Sequence, residues 1–296
     1  MKDMDDNRFN GKSLGVIEKE ADELSLQNQK EYVACLRLLA IIGTAMVGAL
    51  LLYDDFGMSR LIFVYAALMI AGTVIIRISN KNKYHENYIN YRLLAEVARV
   101  QSVLDGAGIM KTAAEYFSYT MKDDTAWIRE LIANADHSCE KMTSDMLKER
   151  WLKEQYNYHM DAEKKVSKQL RLNDRISGIV KIAVIVIVVV ACVLECIPDI
   201  DMTSMLGHIT IKGSVLIAVG LLSTISFFLS SYYGKLNLER KRSDHIEMAK
   251  LYKEVLDNTK DSPLTEKIIE KTAREEILEN GNWYSYMKEN RLTLDF

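Results

Sequence analysis

The chain has 296 residues, a formal net charge of -3, 49% hydrophobic residues and 27% charged ones. With no basic excess to release counterions, a nucleic-acid partner has no electrostatic support. Only two prolines, Pro198 and Pro263, and no alternating β-branched pattern outside the apolar windows argue against a sheet-rich fold and for an all-helical chain. The charges avoid four windows and crowd into the remainder.

Residues 1–15 are charged, hold Asn and Gly, and lack periodicity, which predicts a disordered N-terminus with no cleavable signal. A short cytoplasmic helix over 16–32 leads into a first transmembrane hairpin, residues 33–78. Its spans run from Val33 to Tyr53, with Arg37 snorkelling near the inner end, and from Leu61 to Ile78. Asp54-Asp55-Phe56-Gly57 makes the turn between them.

Residues 79–175 read as a cytoplasmic helical region. From Tyr84 to Leu104 a helix places Tyr84, Tyr88, Tyr91, Ala95, Ala98 and Gln101 near one stripe, with Arg92 and Glu96 at i, i+4. Gly106 and Gly108 end it. A second helix is expected over 112–135, a break at Asp136-His137-Ser138, and a third helix from Glu140 running without interruption into the membrane.

The second transmembrane hairpin covers 176–234. About 20 apolar residues at 1.5 Å each cross a bilayer core of roughly 30 Å. The third span, from Ile179, carries Lys181 and Glu195 near its opposite ends, where a charge costs far less than at mid-bilayer. The fourth, Gly213 to Gly234, has no charged residue between Lys212 and Lys235. Residues 235–296 return to the cytoplasm as a helix to about Asp257. A last helix opens at Ser262-Pro263 and ends at Asn280, where Gly281 takes a left-handed cap and leaves Trp283, Tyr284 and Tyr286 as an apolar foot.

Lysine and arginine bias sets the orientation. Arg77, Lys81 and Lys83 follow the second span, Lys164 to Arg175 precede the third, and Lys235 to Arg242 follow the fourth. The hairpin loops hold Asp54, Asp55, Asp199 and Asp201 instead. Both termini and the central region are therefore expected in the cytoplasm of a multi-pass membrane protein. The halves share a plan of helix, hairpin, helix; any repeat would be a parallel one.

Trp151-Leu-Lys-Glu-Gln-Tyr-Asn-Tyr158, a basic run and two spans, followed by the ending Glu279-Asn-Gly-Asn-Trp283, resemble the SLATT family of prokaryotic membrane effectors. Tyr91-Arg-Leu-Leu-Ala-Glu96, with Arg99-Val-Gln101, is similar to the helix that follows the first hairpin in four-span members. The resemblance implies an effector that permeabilises the inner membrane when triggered, in an antiviral or conflict system linked to a nucleotide second messenger or a neighbouring signalling protein.

Chemistry-bearing motifs are absent: there is no phosphate-binding Gly-rich loop, and His137 and Cys139 have no companions at metal-ligand spacing. The sequence thus predicts no enzyme, cofactor or metal. Cys35, Cys139, Cys192 and Cys196 are too sparse for a disulfide framework. On the fourth span Gly213, Gly220, Ser223, Thr224, Ser230, Ser231 and Gly234 fall on one arc, opposite a lipid-facing side of Ala218, Leu221, Leu222, Ile225, Phe228 and Leu229. That arc serves either close helix packing or, in a homo-oligomer, the lining of an aqueous path. Lys181 and Glu195 are interfacial charges or a charge ring in a pore. Arg92 and Arg99, with Glu96 and the Tyr84, Tyr88 and Tyr91 stripe, either pack the bundle or hold a phosphate and stack a base. Trp151 and Trp283 are candidate partner contacts.

The expected fold is an all-α membrane protein, with four transmembrane helices in two hairpins and a cytoplasmic helical bundle. Two other functions compete with the effector: a scaffold docking a cytoplasmic partner, and a constitutive transporter. The latter normally breaks its helices at mid-membrane, and only Gly43 and Gly48 come near that.

Overall fold

The computed structural model describes residues 8–56, 60–121, 123–195, 205–206 and 209–289. Most of them are helical, and two isolated pairings occur among the rest. A two-residue ladder sets Met205 against Thr210 and Leu206 against Ile209, and a single bridge joins Ser13 to Asp136. The long helices are α1 (Leu14–Phe56), α2 (Leu61–Lys81), α3 (Tyr84–Gly106), α6 (Glu154–Glu195), α7 (Ile211–Leu236), α8 (Leu238–Asn258) and α9 (Glu266–Glu289). Short α4 (Ala126–Ala133) and α5 (Ser144–Leu147) lie between α3 and α6. Four helical stretches are long and apolar enough to cross a membrane, so the chain reads as a multi-pass membrane protein.

Two compact units divide the chain. One holds the residues up to 31, 83–166 and those from 240 on; the other holds 32–82 and 167–239. In the first, α3 is the central element. Leu93, Val97, Val100 and Leu104 alternate at four- and three-residue steps and are almost fully buried. Ile269, Ala273 and Ile277 of α9 supply a matching apolar stripe. At roughly 1.5–3 kcal/mol per large buried side chain, these stripes rather than helix propensity hold α3 and α9 in place.

Several expectations are corrected in this unit. Residues 8–15 are not disordered: Phe9 and Leu14 are buried, and Phe9 meets the Tyr91 ring edge-on. Residues 112–135 are not one helix but two tight turns, Ala113–Tyr116 and Tyr119–Met121, followed by α4. Gln101 holds the start of this stretch: its side chain accepts from the Ala113 N–H at 2.7 Å and donates to the Lys111 carbonyl at 3.1 Å.

The helix expected from Glu140 begins instead at Ser144. The Thr143 hydroxyl caps it by accepting from the Met146 N–H, and a wider turn over Lys148–Lys153 with i→i+5 bonding leads into α6. At the C-terminal end, α9 starts at Glu266 rather than at Pro263 and runs past Gly281 to Glu289. A Cβ at Gly281 would stand 2.8 Å from the Met121 sulfur, so this glycine serves close packing and not a helix stop.

In the second unit α1 packs on both α2 and α7. Gly72 of α2 faces Leu39 and Ile42. On the other side, a Cβ at Gly43 would run into the Phe228 ring, Gly48 faces Leu221, and Gly220 faces Leu51. Small residues let the two backbones approach without help from water exclusion. This overturns one expectation, since Leu221 and Phe228 of the supposed lipid side point at α1. Exposed instead are Ser223, Phe227, Ser230, Ser231 and Gly234.

Most of the remaining apolar surface here is uncovered. Phe63 is 75% exposed, Ile179 68% and Phe227 67%. On α6 alone, Ile179, Ile182, Ile185, Val186, Val188, Val189, Val190 and Val193 are exposed. Leaving so many in water forfeits on the order of 10 kcal/mol of apolar burial, a cost that a lipid solvent removes.

Among the described residues, two non-glycines adopt left-handed backbone, Lys83 (φ 52) between α2 and α3 and Asn237 (φ 46) between α7 and α8. The helix expected after the fourth span is α8, which Asn237 separates from α7. The turn expected over 54–57 does not begin at Asp54, because α1 continues through Phe56; residue 57 and the loop at 199–201 lie outside the described residues.

Candidate functional site

Two carboxylates sit inside the apolar core of the first unit. Glu96 on α3 is 2% exposed and Glu276 on α9 is 1% exposed. A buried carboxylate persists only where charges and donors converge on it. Glu276 accepts from Tyr252 Oη of α8 at 2.6 Å, from Trp151 Nε1 at 3.1 Å and from the Arg99 guanidinium at 2.6 Å. Trp151 reaches it from the wide turn before α6, a backbone irregularity that re-aims the indole relative to a regular helix.

Glu96 is ion-paired with both Arg92 and Arg99, one turn to either side on α3. Burial by itself would raise its pKa, but the two guanidinium groups outweigh that and hold the carboxyl below the usual range. Burial likewise disfavours charged Arg99, and Glu96 with Glu276 more than restores it. Arg92 also donates to Asp22 of α1 at 3.2 Å and to Tyr158 Oη of α6 at 3.1 Å. The network therefore ties α1, α3, α6, α8 and α9 together.

Beside it, His159 of α6 and His245 of α8 face each other with Nδ1 atoms 3.0 Å apart. One imidazole must donate and the other accept, so at least one is neutral. Burial, then His245 and the arginines against the opposing pull of Glu96, push His159 down to about 3. Burial, then Lys241 and Arg92, push His245 down to about 4. Half-buried Glu279 moves the other way, up to about 8, through burial reinforced by Glu96 and Asp244.

A cleft of about 620 Å³ opens onto the network between α1, α3 and α6. Its walls carry the carboxylates Glu18, Asp22, Glu23, Glu96 and Glu154 against the cations Lys19, Arg92 and Arg99. Gln155 and Tyr158 complete the polar part. Among the described residues no group of three or more His, Cys, Asp or Glu is arranged to hold a metal ion. No family model matches the chain, and neither a curated protein nor a solved structure does.

The structure brings Arg92, Glu96, Arg99 and Trp151 into one network, as their sequence patterns alone did not require. Trp283 stands apart from it, its ring edge-on to Tyr88 at 5.7 Å. Tyr88 is buried and takes a hydrogen bond from Gln29, and Tyr91 packs on Phe9, so both of these tyrosines considered for base stacking are already engaged. Both arginines considered for phosphate binding are neutralised by carboxylates. Gly220 and Thr224 lie in the second unit, where the Thr224 hydroxyl donates back to the Gly220 carbonyl. Ser223, Ser230 and Ser231 are exposed there, as is Lys181 on α6, whose last residue is Glu195.

Sequence reading missed Glu276, Tyr252, His159, His245 and Glu18. The first four have partners 24 to 177 residues away, beyond any local pattern. One signal was present, a glutamate at position 96 set among Leu93, Leu94, Val97 and Ala98. A charge on an apolar stripe demands buried partners.

Proposed function

We propose that this protein is a non-catalytic effector of the bacterial inner membrane, in which a cytoplasmic helical unit receives a signal and the spans permeabilise the bilayer in response. Its spans form two hairpins, with both termini and the network unit on the cytoplasmic side, as the lysine and arginine bias favours. One observation carries the reading: the apolar helices leave most of their surface uncovered, α6 above all, while the other unit is locked by buried charges. Uncovered spans can re-pair with one another or with further copies, and α1 and α6 are continuous helices that contain residues of both units.

On α7 the exposed serines at 223, 230 and 231 are the face available to line an aqueous path between copies. Resemblance to the SLATT effectors supports a trigger made or delivered by a neighbouring component. Arginines already neutralised by carboxylates make the network an unfavourable phosphate site, so a nucleotide trigger acts elsewhere or through a partner protein.

The test is expression of the chain with and without its genomic neighbours while a dye follows membrane potential. Depolarisation that needs a neighbour supports the triggered effector. Stable potential under every condition, with unchanged growth, defeats it in favour of a scaffold. Cysteines replacing Ser223 and Ser230 should react with aqueous thiol reagents only in depolarised cells. Reaction confined to Leu221→Cys and Phe228→Cys would place the path on the opposite face.

A further inference from the structure

The cleft in the first unit contains polar groups that the protein leaves unmatched. Glu18 is half-buried, and its carboxylate makes neither a hydrogen bond nor an ion pair within the described residues. Its carboxyl is pushed above the ordinary range by burial, with Glu96, Asp22 and Glu276 adding to this against the pull of Arg99. Gln155 Oε1 is a buried acceptor without a partner, and Arg99 Nε is a buried donor without one. Buried polar atoms are nearly always satisfied, and leaving one unpaired forfeits its full desolvation penalty. Two such buried atoms, with the half-buried Glu18 carboxylate beside them, line one cleft, and a ligand seated there would satisfy them.

The charges decide which ligand. Arg92 is occupied by Glu96, Asp22 and Tyr158, and the charge of Arg99 by Glu96 and Glu276. The wall carries five carboxylates against three cations, a net negative surface that repels phosphate and attracts an ammonium. An ammonium offers three donors, which suit Glu18, Asp22 and the Gln155 carbonyl. The Arg99 Nε–H needs an oxygen acceptor on the same molecule, which a hydroxyl provides. About 620 Å³ lies within the usual range for small-molecule sites and holds a monosaccharide with room for water.

We propose that the cleft between α1, α3 and α6 binds a small hydroxylated amine, with the ammonium held by Glu18, Asp22 and Gln155 Oε1 and a hydroxyl accepting from Arg99 Nε. The site stands whether or not the spans permeabilise a membrane. If they do, it is a place where a signal enters the charge network. Gly15, which has open space where a Cβ would be, lies at its edge.

Three matched sugars separate the possibilities: glucosamine, glucose and glucose 6-phosphate, titrated by calorimetry into the full chain in detergent micelles. Glucosamine should bind at least tenfold more tightly than glucose, and glucose 6-phosphate should not bind. Glu18→Gln keeps the shape and removes the charge, so it should weaken glucosamine at least tenfold and leave the unfolding transition in place. Gln155→Leu tests the buried acceptor in the same way. Preference for glucose 6-phosphate would make the cleft an anion site and overturn the proposal. So would glucosamine binding that Glu18→Gln leaves unchanged, or no binding by any of the three sugars. Calorimetry reads binding with no reference to membrane potential, so it can fail without deciding the effector reading, and the reverse.

Discussion

Replacing Glu276 with Gln tests whether the network is the keystone of the first unit. The native carboxylate is acceptor-only and has Tyr252, Trp151 and Arg99 aimed at it. An amide must turn its two N–H groups toward at least one of those donors, and it removes one of the two buried anions that face Arg92 and Arg99. Breaking a buried pair by removing one partner costs about 3–5 kcal/mol. For a folded unit of this size that is a fall in melting temperature on the order of 10 °C.

The assay is intrinsic fluorescence. The chain has three tryptophans, Trp127, Trp151 and Trp283, and all lie in the first unit, so its melting can be followed without signal from the spans. Adding Arg99→Met should recover part of the loss, because the uncompensated cation goes with it. A Glu276→Gln variant melting within 2 °C of the parent would mean that the carboxylate is solvated in the working protein, and the keystone reading would fail.

Three further outcomes are expected. His159 and His245 titrate at about 3 and about 4 when folded against an ordinary 6.5, so the folded state binds fewer protons than the unfolded one. Their stability contribution is whole above 6.5 and lost as pH falls through 4. The same fluorescence melt should show acid loss that His159→Phe reduces, and an unchanged acid limb would refute this. Glu279 works in the opposite sense, because its folded carboxyl is near 8 against 4.5, so its penalty is absent below 4.5 and complete above 8. Glu279→Gln should therefore raise the melting temperature at pH 9 and leave it unchanged at pH 4. In the second unit, Gly43→Leu drives a side chain into Phe228 and should cost about 1–3 kcal/mol of helix packing. It should lower the disulfide yield between Gly48→Cys and Leu221→Cys, with Phe228→Ala restoring it; an undiminished yield would show that α1 and α7 do not meet at Gly43.

The apolar helices were readable because a span is a one-dimensional signal. Gly213 to Gly234 carries no charge, and no distant partner is needed to interpret that. The face that α7 turns inward was not readable. Small residues suit packing, but so does a ring against a glycine, and Phe228 on Gly43 needs knowledge of a neighbour 185 residues away. The helix misread over 112–135 failed for a related reason. Its composition suits a helix, and the bonds that anchor its start come from Gln101 on another element. Gly281 had the right chemistry for a cap and the wrong surroundings. Position 96 was visible as a member of an ion pair, but its depth was not, because burial belongs to the assembled core.

Lys83 and Asn237 have a consequence for how continuous each half of the polypeptide is. In each half the backbone enters its first apolar helix without a break (α1 in one, α6 in the other) and leaves the second through a single left-handed residue. Each half thus enters its apolar helices on an unbroken ladder of backbone bonds and leaves them where that ladder is interrupted. Putting glycine at 83 would remove about 1–2 kcal/mol of side-chain strain, and less at 237, because asparagine tolerates the left-handed well.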